Sequence, residues 1–492
     1  MEELGNLEEE KKGNDIVKLF PIRKKLEHDF GTYEFRVLLI TQLGYIPIAA
    51  SMLISTFIEP SEQYCATHNS TDFHSFDKTT DEFYSLAMEF GIACKQSTHT
   101  TAYVSSALMW GALVGSFLCG ILSDAIGRLP VFSGCLAGVS VMNMMLCFSN
   151  HFNWHFVTAI LFMLGFTSGG YMVTNFVILT ESFELAKSRL LVVSLNGWSL
   201  AMIITAGLAY LTKQWYAYHL VISVTAIVLA FIANRVCFES CRWLSAKGNH
   251  LQAKSSAIQI QTINGVAFEN EDIEEMEWYE ILGFTKPVHI INSNWTTLFR
   301  TPRFLKPTIV LFYCFLASSI VSFGFYFSLD VLPGNRYFNL ASMGVFKFLL
   351  GFTPFLLSKY LTKRIIAISS VSICSIAAAS ILPIQIFDIT WMNWSIRLLS
   401  LFVAAGIDPT WKINHLYSAE LFPTSVRSIG RGFANSGGRL GSVLAPMIVF
   451  LRAYSPIIPH TIFFVLLIIQ LTVVIAFLPN DNDKNANEMD EE

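Results

Sequence analysis

The stretch Gly120-Ile121-Leu122-Ser123-Asp124-Ala125-Ile126-Gly127-Arg128 closes one apolar run, at 101–123, and leads into another, at 131–149. Crossing ~30 Å of hydrocarbon takes roughly 20 residues of helix, so each run is long enough to span a bilayer. The acid and base between them mark a tight polar turn at the membrane surface. The pattern repeats in both directions. Apolar spans lie near 35–58, 101–123, 131–149, 154–180, 190–211 and 218–238, and, after a polar stretch, near 307–331, 339–361, 365–387, 394–416, 430–451 and 457–478. A chain of 492 residues with 53% hydrophobic and only 14% charged residues does not suit a water-facing surface. A net charge of −4 with no basic stripe excludes a nucleic-acid binder, and nine cysteines do not make a disulfide scaffold. The expected fold is an all-α membrane protein of twelve transmembrane helices.

Several spans are studded with small residues, as in Gly111-Ala112-Leu113-Val114-Gly115 and Gly165-Phe166-Thr167-Ser168-Gly169-Gly170, which predicts helices packed closely on one another. Basic residues sort by side: Arg128, Lys187, Arg189, Arg242, Lys359, Lys363, Arg364, Arg427 and Arg431 fall in one set of alternating short loops, which the positive-inside rule places in the cytoplasm. Both termini are then cytoplasmic. Residues 1–34 form a charged N-terminal segment without the apolar core of a cleavable signal. Residues 35–238 form a first six-helix half with an outside loop at 59–100, 239–306 a cytoplasmic linker, 307–478 a second six-helix half, and 479–492 an acidic disordered tail. Within the linker, Glu271-Asp272-Ile273-Glu274-Glu275-Met276-Glu277-Trp278 reads as an amphipathic helix. The outside loop carries a glycosylation sequon at Asn69 and two cysteines, Cys65 and Cys94, read either as one disulfide or as two free thiols.

Two cytoplasmic loops six helices apart run from an acid to a base, Glu181 to Arg189 and Glu420 to Arg427, which suggests a duplicated half. Transporters are commonly built so, with a central site between two rocking bundles. The stretch Gly120 to Arg128 resembles the G-x-L-x-D-R-x-G-R signature of the major facilitator superfamily. Glu239-Ser240-Cys241-Arg242-Trp243-Leu244 resembles the E-S-P-R-W-L box of its organic-cation and organic-anion transporter branch. Leu298-Phe299-Arg300-Thr301-Pro302 and the passage from Glu420 to Pro446 resemble the same branch, so the likeness runs from about Phe30 to Phe477. It implies two six-helix bundles, alternating access, no cofactor and a small organic ion as cargo. The chain departs from the pattern at Ala125, where arginine is usual, at Leu129, where a second base is common, and at Cys241, where the branch has proline. Its outside loop is also short for the branch.

Independently of any family, Asp124 can accept hydrogen bonds from a neighbouring helix N-terminus or pair with Arg128 or Arg431. Such a latch, with Glu181, Arg189, Glu239, Arg242, Glu420, Arg427 and Arg431, would bias a conformational equilibrium without touching substrate.

Ionisable residues at bilayer depth are costly, so each is a functional candidate. The first half offers only neutral polar groups, Gln42, Tyr45, Asn175, Asn196 and Trp198; the second offers Lys347, Asp408, Lys412 and Arg439. Arg439 and Lys412 each lie eight residues from a cytoplasmic loop, about 12 Å into the membrane at 1.5 Å per residue. Asp408 and Lys412 sit i,i+4 and can pair, which leaves Arg439 and Lys347 uncompensated and in need of an anion. Two other readings stand beside this: Arg439 pairing with Asp408 as scaffold, and Lys347 snorkelling to the outer face. Asn435 shares the face of Arg439. Tyr313 and Phe323-Gly324-Phe325-Tyr326-Phe327 offer aromatic surface, with a bend expected at Gly324. The resemblance agrees with an anion, since the position matched by Arg439 tends to be basic in anion and carnitine carriers and acidic in cation carriers.

No phosphate-cradling loop, metal-ligand spacing or catalytic constellation stands out, so neither enzyme activity nor a metal or cofactor is expected. His28, His151, His155, His219 and His415 are expected at surfaces or interfaces. The sequence points to a plasma-membrane transporter of small organic anions or zwitterions, by uniport or exchange, with a monomer sufficient for transport. An organic-cation carrier of the same fold and a transporter-like sensor or scaffold without flux are the alternatives.

Overall fold

Proline and glycine decide where the spans break. A computed structural model of the chain describes residues 30–58, 60, 65, 82–93, 99–149, 153–183, 188, 191–192, 194–195, 197–266, 276–284, 299–300, 302–329, 332, 334–387, 389–422 and 427–478. The first span is α1 (Thr32–Leu43), α2 (Tyr45–Met52) and a 3-10 turn, Leu53–Phe57. Pro47 has no N–H for the Leu43 carbonyl. At the resulting break the Tyr171 hydroxyl donates to Thr41 O at 2.6 Å. Then follow α3 (Leu86–Glu89), α4 (His99–Ile126), α5 (Arg128–Cys147), α6 (Trp154–Ser182), α7 (Gly197–Thr212) and α8 (Trp215–Val236). Between the halves lie α9 (Cys241–Ala246), α10 (His250–Ile263) and α11 (Trp278–Ile281). The second half comprises α12 (Pro302–Phe327), α13 (Arg336–Gly351), α14 (Thr353–Leu357), α15 (Lys363–Ile386), α16 (Asn393–Gly406), α17 (Asp408–Glu420), α18 (Arg427–Phe450) and α19 (Ile457–Phe477).

Every expected span contains at least one of these helices. Among the described residues nine spans are long and apolar enough to cross a membrane, and α7 is apolar but shorter. The two spans outside that count, α16–α17 and α18, carry Arg397, Asp408, Lys412, Arg431 and Arg439. Span eight breaks between α13 and α14, ahead of Pro354, and span ten between α16 and α17, ahead of Pro409. In both, the missing proline N–H frees a carbonyl one turn back.

The glycines do what their spacing predicts. A Cβ on Gly111 would sit 1.9 Å from Phe162 O and one on Gly165 1.9 Å from Leu108 O, so α4 and α6 touch backbone to backbone. Gly437 and Gly441 of α18 meet Phe312 O and Leu316 O of α12 in the same way. Gly324 behaves differently from expectation. α12 stays helical through it, and the position is small because the Phe463 ring of α19 lies where a Cβ would go.

In the linker, residues 271–275 of the expected amphipathic helix lie outside the described residues, and the helix there begins only at Trp278 behind the Glu277 cap. The longer linker helix is α10, tied to α1 by Asn264, whose Oδ1 accepts from Tyr33 N at 2.9 Å. On the far side, Tyr84 pairs with the turn between α7 and α8, donating to Lys213 O at 2.9 Å and accepting from Trp215 N at 3.1 Å. This fixes the segment around α3 to the first half. Cys65 is disulfide-bonded. Its expected partner Cys94, and the sequon at Asn69, lie outside the described residues. The seven cysteines elsewhere are free thiols, all but Cys147 buried.

Candidate functional site: a charged cavity between the two halves

A cavity of about 180 Å³ lies where the broken spans meet. Gln42 and Tyr45 flank the α1–α2 break, Met172 and Phe176 come from α6, Trp198 from α7, Ser322 and Tyr326 from α12, and Lys347 from α13. From α17 come Asp408, Trp411, Lys412 and His415, whose spacing of three, four and seven residues puts them on one helical face.

The charges are arranged around Asp408. Lys347 Nζ lies 3.1 Å from Asp408 Oδ1 and Lys412 Nζ 3.3 Å from Oδ2, so one carboxylate holds two ammonium groups, one per oxygen. All three are nearly fully buried. Lys412 also donates to Gly351 O at 2.6 Å, a carbonyl at the C-terminal end of α13, and to Ser194 O at 2.9 Å, from the first half. Its three N–H donors are therefore matched by three acceptors. Lys347 donates to Ser322 Oγ at 3.2 Å and lies 5.1 Å above the Tyr326 ring. The sequence expectation is half met: Asp408 pairs with Lys412 as its i,i+4 spacing predicts. Lys347, however, is neither uncompensated nor snorkelling. A buried ammonium is so costly that the fold brings it to the same acid.

Arg439 behaves as its sequence suggests. Among the described residues it has no ion pair; its Nη1 rests 3.4 Å from the Met172 sulfur. The alternative of an Arg439–Asp408 scaffold pair is not what the structure contains, because the two lysines occupy the carboxylate. Arg439 stands beside the cavity, touching a wall residue rather than forming the wall. Asn435, one turn earlier, is also off the wall.

Three further expectations are corrected. Phe325 packs away from the cavity against Phe463, with ring centroids 5.3 Å apart, and Tyr313 donates to Leu466 O on α19. His219 is not interfacial: it is fully buried in the first half, its Nδ1 2.7 Å from Asn143 Oδ1. His415 lines the cavity between Phe176 and Phe315. Asn196 lies outside the described residues, whereas Gln42, Tyr45, Trp198 and Tyr326 stand on the wall as expected. Sequence reasoning passed over Trp411, Phe176, Met172 and His415. The helical periodicity from Asp408 through Trp411 and Lys412 to His415 was the available signal for two of these.

Contacts between the halves bound the cavity at both ends. At one end Phe57 stacks on Tyr337 at 5.5 Å, and Glu82 pairs with Arg336 at 2.6 Å. At the other, the Lys412–Ser194 bond is joined by Arg431 over the Phe176 ring at 5.3 Å. That second end holds the expected latch residues. Arg128 pairs with Asp124 at 2.6 Å and Glu181 at 3.1 Å. The Glu239 carboxylate accepts from Arg128 N at 2.9 Å and Leu129 N at 3.2 Å, capping α5 behind Gly127. The acid that meets a helix N-terminus is thus Glu239 and not Asp124, because Gly127, with φ +120, turns the chain so that α5 starts against the box after α8. Arg242 covers the Phe284 ring at 5.0 Å, and Trp243 Nε1 donates to Asp124 O at 3.0 Å. Arg189 and the side chains of Glu420 and Arg427 lie outside the described residues. Burial pushes the Cys241 thiol up to about 12, so it is not a thiolate at neutral pH.

A family model described as Major Facilitator Superfamily matches residues 66–446. The chain belongs to this superfamily. This major facilitator is 25% identical to organic anion transporter 3 of Oryctolagus cuniculus over 82% of its own length and 73% of that protein. It is 28% identical to organic cation/carnitine transporter 2 of Mus musculus over 83% and 70%, and 25% identical to a steroid transmembrane transporter of Homo sapiens over 86% and 74%. Among solved structures, the proton:xylose symporter XylE bound to 6-bromo-6-deoxy-D-glucose superposes with a TM-score of 0.65 at 13% identity, covering 91% of this chain and 96% of that one. A partially occluded, inward-open form of XylE from E. coli gives 0.61 at 14% identity, covering 92% and 99%. The protein is a multi-pass membrane transporter with the major facilitator fold, and not an enzyme.

Proposed function

We propose that this major facilitator carries small organic anions or zwitterions across the plasma membrane by alternating access, as a uniporter or exchanger, with both termini in the cytoplasm. The observation that carries the reading is Arg439: a guanidinium without an ion pair among the described residues, beside a cavity whose other charges, two lysines and one aspartate, leave a positive excess. An uncompensated cation in a low-dielectric setting is satisfied best by a carboxylate or sulfate that binds it in two-point fashion. Tyr45, Phe176, Trp198, Tyr326 and Trp411 supply flat apolar surface for the body of such a solute. The cluster of Asp124, Arg128, Glu181, Glu239 and Arg242 acts as the cytoplasmic latch, and Asn69 as the glycan acceptor on the outside loop. The relatives named as organic anion and organic cation/carnitine transporters support an organic ion of either sign. The local charge favours the anion.

The test is uptake into proteoliposomes of a labelled aromatic carboxylate and, separately, a labelled quaternary ammonium. Carboxylate uptake that falls by at least about tenfold in Arg439→Ala, with normal yield and monodispersity, is the expected result. Uptake of the ammonium alone would establish the cation reading, in which Asp408 dominates the field. No flux of either would return the protein to a sensor or scaffold.

A further inference from the structure

The lysine pair around Asp408 has a consequence for what the cavity accepts. The two lysines differ in what they have left to offer. Lys412 is saturated by Asp408, Ser194 O and Gly351 O; two of those three partners are backbone carbonyls, and one of them, Ser194 O, comes from the other half of the molecule. Both lysines stand on the cavity wall, but Lys347 has only Asp408 Oδ1, Ser322 Oγ and an aromatic face. It is the lysine with bonding capacity left for a solute, and Asp408 already occupies the position that a solute carboxylate would take.

We propose that Asp408 is a resident counter-ion that restricts the cargo to a single negative charge: it holds Lys347 in place of a second substrate carboxylate, leaving Arg439, which has no ion pair among the described residues, as the cation beside the cavity for the cargo to meet. Two arguments support this. A second carboxylate placed against Lys347 would lie within a few ångströms of Asp408, and like charges at that range in a poorly solvated site repel strongly. Displacing Asp408 from Lys347 is no remedy, because the two carboxylates would still face each other across the one ammonium while Lys412 keeps Asp408 in place. Asp408 is also held by construction. It opens α17 immediately after the break at Ile407, at the positive end of the helix dipole, so its carboxylate cannot easily swing away. A zwitterion fits the same rule, its cationic part facing Asp408 across the aromatic wall. This inference rests on the anion reading above and narrows it to monoanions and zwitterions.

The probes are benzoate and phthalate, which share a ring and differ by one carboxylate, at neutral pH where both phthalate groups are ionised. Affinities come from thermal-shift titration of the purified full chain, which does not depend on flux. The unsubstituted protein is expected to bind benzoate at least about tenfold more tightly than phthalate. In Asp408→Asn the ratio should move toward phthalate by at least about tenfold, since Lys347 is released. In Asp408→Glu, which keeps the charge, it should stay near its original value. Should Asp408→Asn fail to fold, Asp408→Asn with Lys412→Met keeps the net charge of the cluster and should show the same shift. A protein that binds phthalate as tightly as benzoate overturns the inference while leaving the anion reading intact, and so does a ratio unmoved by loss of Asp408. Binding of neither anion alongside binding of a quaternary ammonium overturns the anion reading, and the inference with it.

Discussion

The two halves of the molecule treat charge in opposite ways. In the first half the ion pairs described sit at the end of the bundle, where Arg128, Asp124, Glu181 and Glu239 tie helix ends together. Its interior is held by neutral means: glycine-mediated backbone contact, the Tyr171 and Tyr218 hydroxyls on main-chain carbonyls, and the Asn143–His219 pair. In the second half the interior itself is charged, at Lys347, Asp408 and Lys412. The other charged side chains buried among the described residues, Arg336 and Arg397, belong to the same half. One half is thus held together by neutral contacts, and the other bears the desolvation cost of buried charges.

The largest expected effect probes the neutral half. Gly111→Leu places a side chain inside the Phe162 carbonyl and should destabilise the protein by more than about 4 kcal/mol, read as loss of monodisperse protein. Gly207→Ala, in α7 with nothing within 4 Å of its Cβ position, should be neutral or stabilising by about 0.5–1 kcal/mol. Equal effects at the two positions would dissolve the claim of backbone contact.

The charged half is probed by comparing Asp408→Asn with Lys347→Met in a thermal melt. Each removes one charge. The first leaves two buried ammonium groups without their shared acid and should cost about 3–5 kcal/mol, whereas the second leaves a balanced Asp408–Lys412 pair and should cost about 1–2 kcal/mol. Reversal of that order would mean that Asp408 is not the hub of the cluster.

Smaller effects belong to the proposed latch. Glu239→Gln removes the charge that caps α5 and one of two acceptors, and about 1–2 kcal/mol of stability should go with it. Cys241→Pro should change little, by about 0.4–1 kcal/mol in the stabilising direction. Cys241 is the first residue of α9, behind the Ser240 cap, where proline is tolerated and no N–H is lost from the helix. The departure from the family's proline is therefore accommodated by helix geometry, and with its thiol held neutral no reactive group is lost. A drop of several degrees in melting temperature would show instead that the buried sulfur packs in a way proline cannot replace.

How far these features were legible in the sequence differs by kind. The spans were readable because twenty apolar residues in a row have few soluble uses, and the Gly111/Gly165 contact because small residues at i,i+4 in a membrane helix invite another backbone. The acids and bases of the latch were readable as a set, but not their pairing. Asp124 and Glu239 are both acids beside Arg128, and only the turn at Gly127 decides which one caps the helix and which one pairs. Lys347 was misjudged for the same reason: nothing along the chain shows that a lysine in span eight and an aspartate in span ten share a carboxylate.

The order of amino acids by itself determined that the chain lives in a membrane, roughly where its apolar spans lie, and that the second half carries buried charge. Those properties follow from local composition and from hydrogen bonds closed within a few residues. Which charges neutralise one another, which aromatic rings turn toward the cavity, and that Arg439 is left without an acid were decided only by the packing of helices far apart in sequence. Electrostatic energy depends on distances between side chains, and those distances exist only once the helices have been brought together.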